Sequence, residues 1–115
     1  MGGVKGIKHM KFITAVGKNK TLYIEKEKVA AILSEPQIQR VPAADEKIGG
    51  ISLYNGQLVV YHQLGVCSTE RTCGIIVKTG GESLTGIIAD YPSQESMEPD
   101  DLSLVMPGVW EINSD

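Results

Sequence analysis

The sequence predicts an all-β protein, mainly β with one short helix, and three observations carry that prediction. Residues 48–64 hold two runs rich in Ile, Leu, Val and Tyr on either side of Tyr54-Asn55-Gly56. Asn-Gly is the pair that tolerates positive φ at both centres of a type I′ turn, so this stretch reads as a β-hairpin. About nine short apolar or alternating segments recur between turn residues, a spacing that suits a β-barrel rather than βαβ units. Only one segment has helical period, and no internal repeat or low-complexity stretch appears.

Residues 1–10, with three glycines and little pattern, are expected to be a flexible tail, leaving residues 11–115 as a single domain. The β-branched and aromatic run at 11–16, the polar turn at 17–20 and the run at 21–25 form a first hairpin. In residues 26–34 Val29, Ile32 and Leu33 recur at i, i+3 and i+4, and Pro36 forbids continuation, so a helix of about two turns is expected. Residues 37–41 alternate as a strand, and 42–47 link it to the central hairpin. There Leu58 and Val60 fall on one face of the second strand and Val59 and Tyr61 on the other, so that strand should be central and buried on both faces. Residues 65–72 read as a loop, and 73–78 and 83–90 flank a turn at 79–82. Residues 91–101, with two prolines, four acids and two serines, read as a solvated loop. A last short pair, 102–106 and 109–113, turns at Pro107-Gly108.

A chain of 115 residues suffices for one domain that buries roughly two-thirds of its unfolded surface. Eleven basic against fourteen acidic residues give a net charge of -3 without a basic block, which offers nucleic acid no footprint. No apolar run approaches the roughly 20 residues of a membrane span, and the amino terminus lacks a secretory apolar segment, so no membrane insertion is expected. Two cysteines are too few for a disulfide scaffold, which points to a reducing cytoplasm.

Catalytic chemistry is poorly supplied. His62 ends the central strand with no nucleophile or carboxylate motif beside it, and a lone histidine needs a partner to act as a base. Cys67 and Cys73 are half a tetrahedral zinc site at best, so two ordinary thiols are favoured over a disulfide formed on oxidation and over a metal. Glu95, Glu98, Asp100 and Asp101 lack the spacing of a calcium loop. Gly80-Gly81 is a hairpin turn rather than a phosphate cradle. Gly49-Gly50, inside an apolar strand, reads as a barrel corner in preference to a docking site. The expectation is a protein that is no enzyme, with no catalytic residues, metal or cofactor.

Six short motifs keep a common order over about 80 residues: Lys28-Val29-Ala30-Ala31-Ile32, Ile38-Gln39-Arg40-Val41-Pro42, Ile48-Gly49-Gly50-Ile51, Leu53-Tyr54-Asn55-Gly56, Gln63-Leu64 and Gly86-Ile87-Ile88-Ala89-Asp90. In these the chain resembles the CheW family, the coupling proteins of bacterial chemotaxis. The resemblance implies a pair of small intertwined five-stranded SH3-like β-barrels on a shared spine. It also implies a cytoplasmic scaffold that couples chemoreceptor tips to the regulatory domain of a histidine kinase. Carried over by position, a partner-binding groove would include Val29, Ile32, Leu53, Tyr54 and Gly56, with Arg40 and Gln57 at its margin. Tyr54-Asn55 stands where the family pattern has an arginine, so contact there is expected to be hydrophobic. The chain ends about two strands before the family pattern does. The second barrel is therefore expected to be incomplete, with a homodimer formed at an open edge along residues 109–112. The alternative function is an interaction module, self-associating or binding another signalling protein, that is not tied to chemotaxis.

Overall fold

The structure, a computed structural model, describes residues 10–34, 36–39, 48–63, 73–81 and 83–113. Ten strands follow in order: β1 (Met10–Val16), β2 (Thr21–Glu25), β3 (Val29–Ser34), β4 (Ile48–Tyr54), β5 (Gln57–His62), β6 (Cys73–Gly80), β7 (Ser83–Ala89), β8 (Tyr91–Met97), β9 (Leu102–Met106) and β10 (Val109–Ile112). They form two five-stranded sheets, in the orders β8-β1-β2-β10-β9 and β3-β6-β7-β5-β4. All pairings are antiparallel except β5 with β7. The second sheet is inserted between β2 and β8 of the first, which is the intertwining that the resemblance implied.

Three apolar clusters hold this arrangement. Ile13, Ala15, Leu22, Ile24 and Val109 of the first sheet meet Cys73, Ile75, Val77, Ile87 and Ala89 of the second, so the sheets share one spine. The first sheet curls around Phe12, Tyr23 and Leu102 with Met10, Met97 and Trp110, a set drawn from all five of its strands. Trp110 Nε1 donates to the Glu25 carboxylate at 2.7 Å, tying β10 to β2. The second sheet curls around Val59, Tyr61 and Ile76. It closes because the chain beyond β3 passes Pro36 and pairs at Gln39 with β4. Gln39 N–H donates to Ile51 O at 2.8 Å, and Ile51 N–H donates to Gln39 O at 2.9 Å.

Several expectations are corrected. The helix expected over 26–34 is a single 3-10 turn, Lys26–Lys28, followed by β3. A helix of two turns is marginal by itself, whereas β3 gains a full ladder to β6. The i, i+3 spacing of Val29 and Ile32 arises from a bulge: the ladder skips Ala30, so both residues lie opposite spine residues, Val77 and Ile75. Of the strand expected at 37–41, the described part pairs only at Gln39. The solvated loop expected at 91–101 is β8 and a second 3-10 turn, Pro99–Asp101. β8 pairs with β1 along its whole length yet stays exposed, as an edge strand held by backbone bonds can. β5 is not the central strand but lies inside its sheet, between β7 and the edge strand β4, and Leu58 on its outer face is exposed, so it is not buried on both faces. Neither sheet is short of strands, and β10 is paired on both sides, so residues 109–112 are not the open edge. Residues 1–9, 40–47 and 64–72 lie outside the described residues. Among the described residues no helix is long and apolar enough to cross a membrane.

Candidate functional site

The site is built from the turn outward. Asn55 and Gly56 adopt φ of 51° and 78°, the positive pair of a type I′ turn, and a two-residue loop of this kind fixes the register of both strands. Tyr54 then opposes Gln57, Leu53 opposes Leu58, Ser52 opposes Val59 and Ile51 opposes Val60. Side chains alternate across the sheet. Tyr54 joins the interior cluster around Val59 and Tyr61, while Leu53 and Leu58 face out as a cross-strand pair, 70% and 56% exposed. Beside them Gln37, Gln39, Ile51 and Ser52 complete an open depression of about 480 Å³. Its wall is held by the two Gln39–Ile51 backbone bonds. None of these six residues ionises, so the surface offers apolar contact ringed by amide and hydroxyl groups.

The corner beside this wall is made by Gly50. Its φ is 151°, and a Cβ there would stand 2.5 Å from Gln39 O, so only glycine allows β4 to approach the covering segment. The barrel-corner reading of Gly49-Gly50 agrees with this, and the β4–β5 register shifts at the same place.

The residues singled out in the sequence are not all gathered here. Leu53, Gly56 and Gln57 lie on the hairpin, with Gly56 exposed and Gln57 half-buried. Tyr54, expected at a partner contact, instead packs half-buried inside the barrel. Val29 packs against the shared spine and Ile32 is exposed on β3, at the opposite end of the sheet order from β4. Arg40 lies outside the described residues. Leu58 was missed because both faces of β5 are apolar; the register set by Asn-Gly, which pairs it with exposed Leu53, is the signal that identifies it.

His62 is half-buried, and burial holds its imidazole pKa below the usual 6.5. Cys73 is buried in the shared spine, and Cys67 lies outside the described residues. Gly80 and Gly81 form the β6–β7 turn. Among the described residues no three of His, Cys, Asp and Glu stand together as a metal site.

No family model and no curated protein sequence matches the chain. Twelve chains of solved structures do. One is the crystal structure of the scaffolding protein TtCheW from Thermoanaerobacter tengcongensis, with a TM-score of 0.68 at 14% sequence identity, over 94% of this chain and 84% of that one. At that identity the likeness is one of fold alone. The chain has a divergent CheW-like fold.

Proposed function

We propose that this protein is a non-catalytic cytoplasmic scaffold or adaptor in chemotaxis-type signal transduction, bridging chemoreceptor tips to the regulatory domain of a histidine kinase. The observation that carries this reading is the exposed Leu53–Leu58 pair, held on a closed barrel of CheW-like fold. Large apolar side chains grouped in water on a rigid element mark a surface that something else covers. An amphipathic helix of a receptor, laying its apolar stripe on the depression, fits the uncharged lining.

Covering two leucines that are more than half exposed is worth about 1–2 kcal/mol each. Replacing both, Leu53→Ser with Leu58→Ser, should weaken binding of a receptor-tip helix by about 2–3 kcal/mol, a loss of roughly 30- to 150-fold. Melting should barely change, because neither side chain is buried in the free protein. Calorimetric titration of the tip and of the kinase regulatory domain into both proteins tests this; undiminished affinity in the folded double variant would place the receptor contact elsewhere. The inward turn of Tyr54, at the position of the family's arginine, favours a second reading as an interaction module outside chemotaxis. Binding of neither the receptor tip nor the kinase domain to the native chain would select it.

A further inference from the structure

The chain has three asparagines, and only Asn55 is followed by glycine. Asn55 and Gly56 are both exposed, and a Cβ at Gly56 would meet nothing within 4 Å. Among the described residues the Asn55 side-chain amide makes no hydrogen bond, and the Gly56 N–H has no partner there either. The other two asparagines are engaged: Asn113 bonds to Ser103 and to the Asp100 carbonyl, and Asn19 also has a partner.

The hairpin tip that carries Asn55-Gly56 is held mainly by its own ladder. β7 pairs with β5 only at Val60, Tyr61 and His62, and the covering segment pairs with β4 only at Ile51. Beyond those residues the pairs are Ser52 with Val59, Leu53 with Leu58 and Tyr54 with Gln57. Val59 is buried and anchors the first of them, but Leu53 and Leu58 lie in water, so only the half-buried Tyr54 ring ties the last two pairs to the barrel interior. An end with so few apolar contacts opens locally without unfolding the barrel.

We infer that Asn55 is a site of spontaneous deamidation, reached when the hairpin tip opens, and that its isoaspartate product abolishes the register pairing Leu53 with Leu58. The reaction needs only water and is read on the free protein, so the inference stands apart from the scaffold reading. The deprotonated Gly56 backbone nitrogen attacks Asn55 Cγ, the Cγ–Nδ2 bond breaks, and the amide leaves as ammonia with the proton given up, closing a five-membered succinimide. Glycine has no side chain to hinder that approach. Water then opens the ring at either carbonyl. Breaking the Cγ–N bond leaves aspartate in a normal main chain; breaking the bond from the main-chain carbonyl to nitrogen leaves isoaspartate, with Gly56 joined through Cγ.

A type I′ turn holds ψ of its first central residue near about 30°, which turns the next nitrogen away from Cγ. Attack therefore awaits opening of the tip, and the turn that fixes the register also protects it. Either product adds one negative charge to a chain of net charge -3. Aspartate followed by glycine still suits the turn, whereas isoaspartate puts an extra methylene into the main chain, so the two-residue loop and the register it fixes are lost.

The full chain is incubated in mildly alkaline buffer, natively and in urea, and its peptides are followed by mass spectrometry. Asn55 should deamidate several-fold faster than Asn19 or Asn113 in the native protein, faster as pH rises, and several-fold faster again in urea. Asn55→Gly keeps a pair suited to the turn and should gain no mass in that peptide, with a thermal melt to confirm that it is folded. Ion exchange separates the products from the parent, and fragmentation tells isoaspartate from aspartate. Hydrogen exchange of backbone amides at 52–59 should be several-fold faster in the isoaspartate form and unchanged in the aspartate form, with β6 and β7 unchanged in both. Native conversion at Asn55 no faster than at the other two asparagines overturns the site. Equal rates in native buffer and urea overturn the gating by the turn, and parental exchange at 52–59 in the isoaspartate form overturns the loss of register.

Discussion

Replacing Tyr61 with phenylalanine should make this protein more stable, the reverse of the usual effect of removing a tyrosine hydroxyl that is bonded. Tyr61 is fully buried in β5, with its ring lying across two glycines of neighbouring strands. A Cβ at Gly86 would stand 2.5 Å from ring Cε1, and one at Gly74 would stand 2.8 Å from the same atom. The ring fits because those positions lack side chains. Among the described residues its hydroxyl oxygen has no hydrogen-bond partner, and burial pushes the phenol pKa above its ordinary 10.0. A buried hydroxyl without a partner costs about 1–3 kcal/mol. Deleting the oxygen leaves a void of about 10 Å³, which at about 24 cal/mol per Å³ costs only about 0.2 kcal/mol. Tyr61→Phe should then stabilise the fold by about 1–2 kcal/mol. With unfolding entropy near 2.1 cal/mol/K per residue, a chain of 115 residues should melt about 4–8 °C higher. Scanning calorimetry together with urea unfolding at neutral pH measures both quantities. A variant less stable than the parent would refute the reasoning, since it would mean that the hydroxyl is bonded in solution.

Tyr54→Ala should cost about 1–3 kcal/mol of stability, because the ring is half-buried against the Val59, Tyr61 and Ile76 cluster, while affinity at Leu53 and Leu58 stays within about twofold; melting and titration of the same sample check the pair of outcomes. His62 gives a pH dependence whose sign follows from its lowered pKa. The unfolded chain binds that proton more readily, so the contribution is fully present above about pH 6.5 and is lost as pH falls from there through the folded pKa. Urea midpoints measured from pH 5 to 8 should therefore rise with pH below about 6.5, and His62→Gln should flatten that part of the slope. An identical slope in the variant would assign it to other groups.

The places where the sequence misled have a common cause. β3 looked helical because Val29 and Ile32 are three apart, but that spacing comes from the bulge at Ala30, which exists only in the ladder to β6. β8 looked like a loop because Pro92, Ser93, Gln94 and Glu95 bear no strand pattern; β1 supplies its pairing through the backbone alone. The expected edge at residues 109–112 moved to β9 because β10 is claimed by β2 on its other side.

The sequence by itself determined what depends on neighbouring residues. Asn55-Gly56 sets two positive φ angles, those set the turn, and the turn sets the pairing of Leu53 with Leu58. It also determined which residues are apolar, and through ordered motifs it pointed to the CheW-like fold. Only the tertiary structure decided which apolar face is covered. The spine covers Ile75, Val77 and Ile87, but that cover does not reach Leu53 and Leu58 on the same outer face of the second sheet. The physical reason is that a turn is chosen by the dihedral preferences of two adjacent residues, whereas burial and edge pairing are chosen by segments remote in the chain, which local pattern does not encode.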